Sequence, residues 1–128
     1  DRLGHFRFVL FYLACGLAAS FGQVLMKPDS TLPMIGASGA ISGVLGAYLF
    51  LYPHAKVLVL LPLLYLWRII KVEALWFLGF WIILQLVYGA TSSLSMAGVE
   101  GGGVAWFAHI FGFFSGIFFL GIFARGKK

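Results

Sequence analysis

The chain has 128 residues, of which 62% are hydrophobic and 10% charged, with a formal net charge of +5. A soluble domain carries about 25% charged residues, and a chain this short has no core that could hide so much apolar surface, so composition excludes an ordinary water-soluble fold. The basic residues sit at the ends of apolar runs with no stripe or stacking platform between them, which excludes nucleic acid as the partner.

Lipid is therefore the solvent to reason with, and in lipid each backbone polar group must be paired internally, by helices or by a closed barrel. The apolar runs are long and unbroken rather than alternating, which favours helices. The fold class that follows is all-α, a polytopic transmembrane helical bundle. The first span is expected over residues 6–26, ending at the turn cluster Lys27-Pro28-Asp29-Ser30. Its single Cys15 reads as a small buried hydrophobe, with no disulfide and no metal site implied. The second span covers 37–52 and stops at Pro53. The third covers 72–91 and the fourth 104–123. Between the second and third, residues 57–70 are apolar but interrupted by Pro62 and Arg68. They read as an interfacial or partly buried connector with room for a short helix.

Charge sets the topology. A start on the cytoplasmic side leaves Arg2, Arg7, Lys56, Arg68, Lys71, Arg125, Lys127 and Lys128 inside and only Lys27 outside, as the positive-inside bias requires. Both termini of the chain are then cytoplasmic, in a plasma or inner membrane, while Asp29 and Glu100 lie outside. The opening Asp1-Arg2-Leu3-Gly4 reads as a start between elements of something longer. The second span is short. At about 1.5 Å per residue it reaches about 24 Å, below the roughly 30 Å of a hydrocarbon core. Its outer end, which carries Ser38, should begin beneath the surface, with the preceding loop 29–36 dipping to meet it.

Two stripes of small residues stand out. Gly39, Gly43 and Gly46 follow i, i+4, i+7 spacing in the second span, and His109, Gly112 and Gly116 follow i, i+3, i+7 in the fourth. Such bare faces let membrane helices approach closely. If the two faces pack together, Ser38 and His109 meet near the outer ends of their helices. Serine needs a base to become a useful nucleophile, and an ionisable residue inside a span is costly enough to mark a functional site. Asp29 and Glu100 lie in outer loops and Glu73 at the cytoplasmic end of its span, so no acid within the spans can orient the imidazole and a Ser–His dyad is expected rather than a triad. The soluble hydrolase motif Gly-x-Ser-x-Gly does not fit, because Ala40 stands where its second glycine would be. A structural serine and a proton-relay histidine are the plainer alternatives.

Taken together, GASGAISGVLGAYLFLYP and AHIFGFFSG resemble the nucleophile-bearing fourth and base-bearing sixth helices of the rhomboid family of intramembrane serine proteases. DRLGHFRFVLFYLACG and ALWFLGFWIILQL resemble its third and fifth helices. The resemblance thus runs through helices three to six of a six-helix core. The family's first two helices, with the His and Asn that complete its oxyanion hole, fall outside it. It implies Ser38 as nucleophile and His109 as general base and then acid, with backbone at Gly36, Ala37 and Gly39 supporting the oxyanion. Gly43, Gly46, Gly112 and Gly116 would serve helix packing. Residues 89–103 resemble a cap over the site, and Trp76, Phe77, Phe80 and Trp81 a lateral substrate gate, although lipid contact explains those aromatics equally well. Gln85 reads as a polar residue bonded to a neighbouring helix. Where some members carry an aromatic residue that stacks on the catalytic histidine, this chain has Ser42, so another group must hold His109.

No cofactor or metal is implied. The partners implied are transmembrane protein substrates and the lipid bilayer, and the oligomeric state stays open. The rival readings are a catalytically inactive rhomboid-like protein that binds client transmembrane helices, and a small transporter component using His109 as a relay.

Overall fold

A computed structural model describes residues 2–29, 36–94 and 105–124. Four helices and one hairpin follow in the order α1 (Gly4–Met26), α2 (Ala37–Leu51), β1 (Lys56–Leu63), β2 (Leu66–Glu73), α3 (Ala74–Leu94) and α4 (Trp106–Phe123). Prolines set two of the helix ends. Pro28 and Pro53 disfavour helical backbone in the residue before them, and the chain leaves the helix at Lys27 and Tyr52, whose amides make the last bonds back to Gln23 O (2.9 Å) and Tyr48 O (2.8 Å).

Among the described residues three helices are long and apolar enough to cross a membrane: Gly4–Met26, Ala74–Thr91 and Trp106–Phe123. The protein is an integral membrane protein, a mostly helical bundle. The helix α2 has 15 residues, which gives about 22 Å at 1.5 Å per residue, the shortness expected of the second span. It is also the central helix. It buries Gly39, Ala40, Ser42, Gly43, Gly46 and Ala47, between α1 on one side and α4 on the other.

The packing there is backbone against backbone. A Cβ added at Gly112 would overlap the carbonyl oxygen of Gly39, one at Gly116 that of Gly43, and one at Gly46 that of Phe113. The Gly39–Gly112 and Gly43–Gly116 matches advance together along both helices, as do those of Gly39 with Ala108 and Gly43 with Gly112, so α2 and α4 run parallel. On the other face, Cβ atoms at Gly39 and Gly43 would run into Ala19 and Cys15 of α1, in the reverse order, so α1 is antiparallel to α2. With lipid as solvent there is no hydrophobic force between helices, and close approach through small residues supplies the dispersion contact instead. At the far end of α2 the packing changes to large side chains, where Phe11, Cys15, Ala47 and Leu120 form a cluster with Val44, Leu51 and Phe123 around it.

The connector departs from expectation. Residues 57–70 contain no helix and lie within an antiparallel hairpin paired from Lys56↔Glu73 to Leu63↔Leu66. The physical reason is composition. Val57, Val59, Trp67, Ile69, Ile70 and Val72 favour strand. Pro62, which reads as an interruption, is tolerated on the edge of a two-stranded sheet. Arg68 is simply the cross-strand partner of Leu61. The third helix starts at Ala74 rather than residue 72, directly after β2 with no linker.

The hairpin base is tied to the bundle by two backbone bonds, Ala74 N to Ala55 O and Leu75 N to Pro53 O, both 2.8 Å. It also carries an ion cluster. Glu73 accepts from His54 Nδ1 (3.1 Å) and from Lys56 Nζ (3.2 Å). The hydrogen bond from His54, then those of Lys56, hold the Glu73 carboxyl below the usual carboxylate range. A carboxyl depressed in the folded state contributes stability that is present above its unfolded value of roughly 4.3. That contribution is lost as pH falls through the lower folded value. Acidification below about pH 4 is therefore expected to loosen the hairpin base, read as faster amide exchange at Ala74 and Leu75, and Glu73→Gln should abolish this acid-dependent step.

Candidate functional site

The amino ends of α2 and α4 lie together because the two helices run parallel, and the carboxyl end of α1 lies beside them. Ser38 is the second residue of α2, exposed, with Gly36 as the N-cap and Ala37 as the first helical residue. The first four amides of a helix have no partner within it, so the amides around Ala37, Ser38 and Gly39 form a donor-rich, partially positive helix end. The N-cap itself is a glycine, with no side chain to cap the end. Ser42, one turn on, is buried and donates its hydroxyl to Ser38 O at 2.8 Å. That bond fixes the serine's backbone from below.

His109 stands in the first turn of α4, half-buried. Its neighbour Ala108 lies against Gly39, the neighbour of Ser38: a Cβ at Gly39 would sit 3.5 Å from Ala108 O and 3.8 Å from Ala108 Cβ. The two stripes read from the sequence, Gly39-Gly43-Gly46 and His109-Gly112-Gly116, are thus brought face to face. Gly43, Gly46, Gly112 and Gly116 all lie buried in that seam.

What holds the imidazole comes from α3. Gln85, only 6% exposed, bonds His109 Nδ1 through Oε1 at 2.7 Å. A carboxamide oxygen can only accept, so Nδ1–H donates and Nε2 keeps its lone pair. Trp81, one turn earlier on the same helix, lies 5.7 Å from the imidazole with planes 39° apart. The group required in place of an aromatic at Ser42 is therefore Trp81 together with Gln85. Of the aromatics grouped as a gate, Trp76, Phe77 and Phe80 are exposed on the outer face of α3, and Trp81 alone turns inward.

A third polar side chain completes the arrangement. Gln23, near the end of α1, accepts the Ala108 amide through Oε1 at 3.1 Å, satisfying a first-turn donor of α4 that would otherwise be buried unpaired. Sequence reasoning passed over Gln23. The signal was available, since a glutamine in an apolar span must find a partner. Of the loops expected near the site, residues 30–35 and 95–103 lie outside the described residues, as does Glu100. Residues 89–94, grouped with the cap, belong to α3.

Residues 1–126 match the family model of the Rhomboid domain. Over 60 residues the chain is 38% identical to "Rhomboid protein 1, mitochondrial" of Saccharomyces cerevisiae, a stretch covering 44% of this chain and 17% of that protein. The chain therefore spans less than a fifth of the length of the curated relative it matches. No solved structure matches it.

Proposed function

Because the chain belongs to the rhomboid family, we propose that it carries the catalytic dyad of an intramembrane serine endopeptidase, with Ser38 as nucleophile and His109 as base. The observation that carries this reading is the Gln85–His109 bond, which commits the ring proton to Nδ1 and leaves Nε2 basic, at the helix end shared with Ser38.

The chemistry follows from these groups. Ser38 Oγ attacks the scissile carbonyl carbon while its proton passes to His109 Nε2. The carbonyl oxygen becomes an oxyanion facing the first turn of α2, at Ala37, Ser38 and Gly39. Donors fixed in place before the reaction typically lower such a barrier by about 3 kcal/mol each. His109 then returns the proton to the departing amine, leaving an acyl-enzyme at Ser38. Water, deprotonated by the same imidazole, releases the acid product. Substrates are single-span proteins with a helix-destabilised stretch near the outer leaflet. The site opens on the outer face, with both ends of this chain on the cytoplasmic side, in accord with the distribution of Arg and Lys.

Covalent labelling by a fluorophosphonate tests the reading. The solubilised parent protein is expected to be labelled, and Ser38→Ala or His109→Ala to lose the label. An unlabelled parent would overturn it in favour of an inactive, client-binding relative.

A further inference from the structure

We propose that the β1–β2 hairpin is a membrane-surface anchor, laying its apolar tip among the headgroups and upper acyl chains of a leaflet rich in anionic lipid. The inference is independent of the chemistry proposed for Ser38, which lies at the opposite end of α2.

Position comes first. One strand leaves α2 after a four-residue turn and the other runs into α3 without a break, with the Ala74–Ala55 and Leu75–Pro53 bonds closing the base. The hairpin is thus held at the end of two membrane helices, where bilayer meets water. Eight residues per strand at about 3.3 Å each give it a reach of about 26 Å.

Its surface does not suit water. Leu60, Leu63, Leu64, Tyr65, Trp67 and Ile69 are each more than half exposed, with Leu64 at 97% and Tyr65 at 98%. An isolated two-stranded hairpin is marginal in water even with a polar face. The turn is more telling. Leu64 has φ +49°, a left-handed conformation that costs a residue with a Cβ roughly 1 kcal/mol and that Asn or Gly would adopt more easily. An apolar side chain is kept at the exposed tip despite that strain, which fits a tip that meets an apolar phase.

Charge and hydrogen bonding fix the depth. The sheet has two strands among the described residues, so both outer edges present open amides and carbonyls. Such edges do not occur in the hydrocarbon region but are satisfied by headgroups and their water. Tyr65 and Trp67 are the residue types that sit at that level. Arg68 and Lys71 stand exposed on β2, where the acidic Glu73 is already engaged by His54 and Lys56. These two exposed cations match lipid phosphate, each Lys or Arg near an anionic surface strengthening binding about fivefold.

The test places a nitroxide at Tyr65→Cys in the whole parent protein, reconstituted in phosphatidylcholine vesicles with or without phosphatidylglycerol. Cys15 is buried, and Tyr65 is so exposed that its replacement does not threaten the fold. In anionic vesicles the label should be relaxed by oxygen more than by a water-soluble nickel chelate. Arg68→Gln and Lys71→Gln should each lower that preference about fivefold, with little effect in phosphatidylcholine alone. A label reached equally by the chelate in both lipids would overturn the proposal. So would a label shielded from both reagents with spin–spin broadening, which would instead identify a second copy paired on the open edge.

Discussion

Gly116→Leu is expected to abolish the folded bundle. The Cβ of any side chain at this position would lie within the carbonyl group of Gly43, and neither side can give way. The obstacle is the backbone of a helix rather than the tip of a flexible side chain. Gly43 is itself pinned from behind by Cys15, against which a Cβ on it would collide. Relief therefore requires α2 and α4 to separate, which also breaks the Gly39–Gly112 and Gly46–Phe113 contacts. Overpacking of a core usually costs about 1–3 kcal/mol. Loss of a whole backbone seam should exceed about 4 kcal/mol, enough to unfold a marginally stable protein. The measurement is the unfolding transition of the purified protein in detergent, which should vanish. Gly121→Leu is the control, since nothing lies within 4 Å of a Cβ there, and it should unfold within about 0.5 kcal/mol of the parent. Equal behaviour of the two variants would show that the seam is not what holds the bundle.

Gln85→Leu is expected to lower kcat/KM by about 10²–10³ with KM little changed. Leucine occupies a similar volume but offers no acceptor, so the His109 Nδ1–H loses its partner. The ring is then free to rotate or to take the other tautomer, whose Nε2 carries a proton and cannot act as base. In a soluble serine protease, replacing the residue that fixes the histidine tautomer lowers kcat by about 10⁴. A smaller effect is expected here, because Trp81 still packs on the imidazole. Gln85→Glu keeps an acceptor at the same reach and should recover most of the activity. A merely structural Gln85 would behave otherwise, with both variants losing stability together and the residual enzyme keeping its normal kcat. Fluorophosphonate labelling rates should fall in parallel with kcat/KM for Gln85→Leu.

The helices and the glycine seam were legible because lipid-facing helices leave a plain record in the sequence. Long apolar runs set the spans, prolines at 28 and 53 set two of the ends, and the small-residue spacing marks which faces meet. The juxtaposition of the Ser38 and His109 helix ends followed from the same spacing. The hairpin was not legible, since an apolar run rich in Val, Ile and Leu reads equally as strand or buried helix, and Pro62 with Arg68 looked like a break rather than an edge and a cross-strand pair. Nor did spacing reveal who holds His109. That answer lies on α3, whose rotation relative to α4 depends on tertiary packing. Gln85 and Trp81 are four residues apart and so share one helix face, but nothing in the local pattern says that this face meets the histidine.

Among the described side chains α3 buries a single file of residues, Ala74, Leu78, Ile82, Gln85 and Gly89, while α2 meshes with the backbone of α4 on one side and with Ala19 and Cys15 of α1 on the other. This divides the molecule mechanically. The helices α1, α2 and α4 are keyed together like a lock and its wards, because glycines at their contacts leave no room for so much as a Cβ. The remaining helix rests on α4 along one line, through Gln85 and Trp81 at His109 and the Tyr88–Trp106 stack, and is joined at its base to the hairpin. Any displacement of α3 against that block is a displacement of Gln85 and Trp81 against His109. The orientation of the imidazole therefore depends on the seating of α3, and not on the seam that joins α2 to α4.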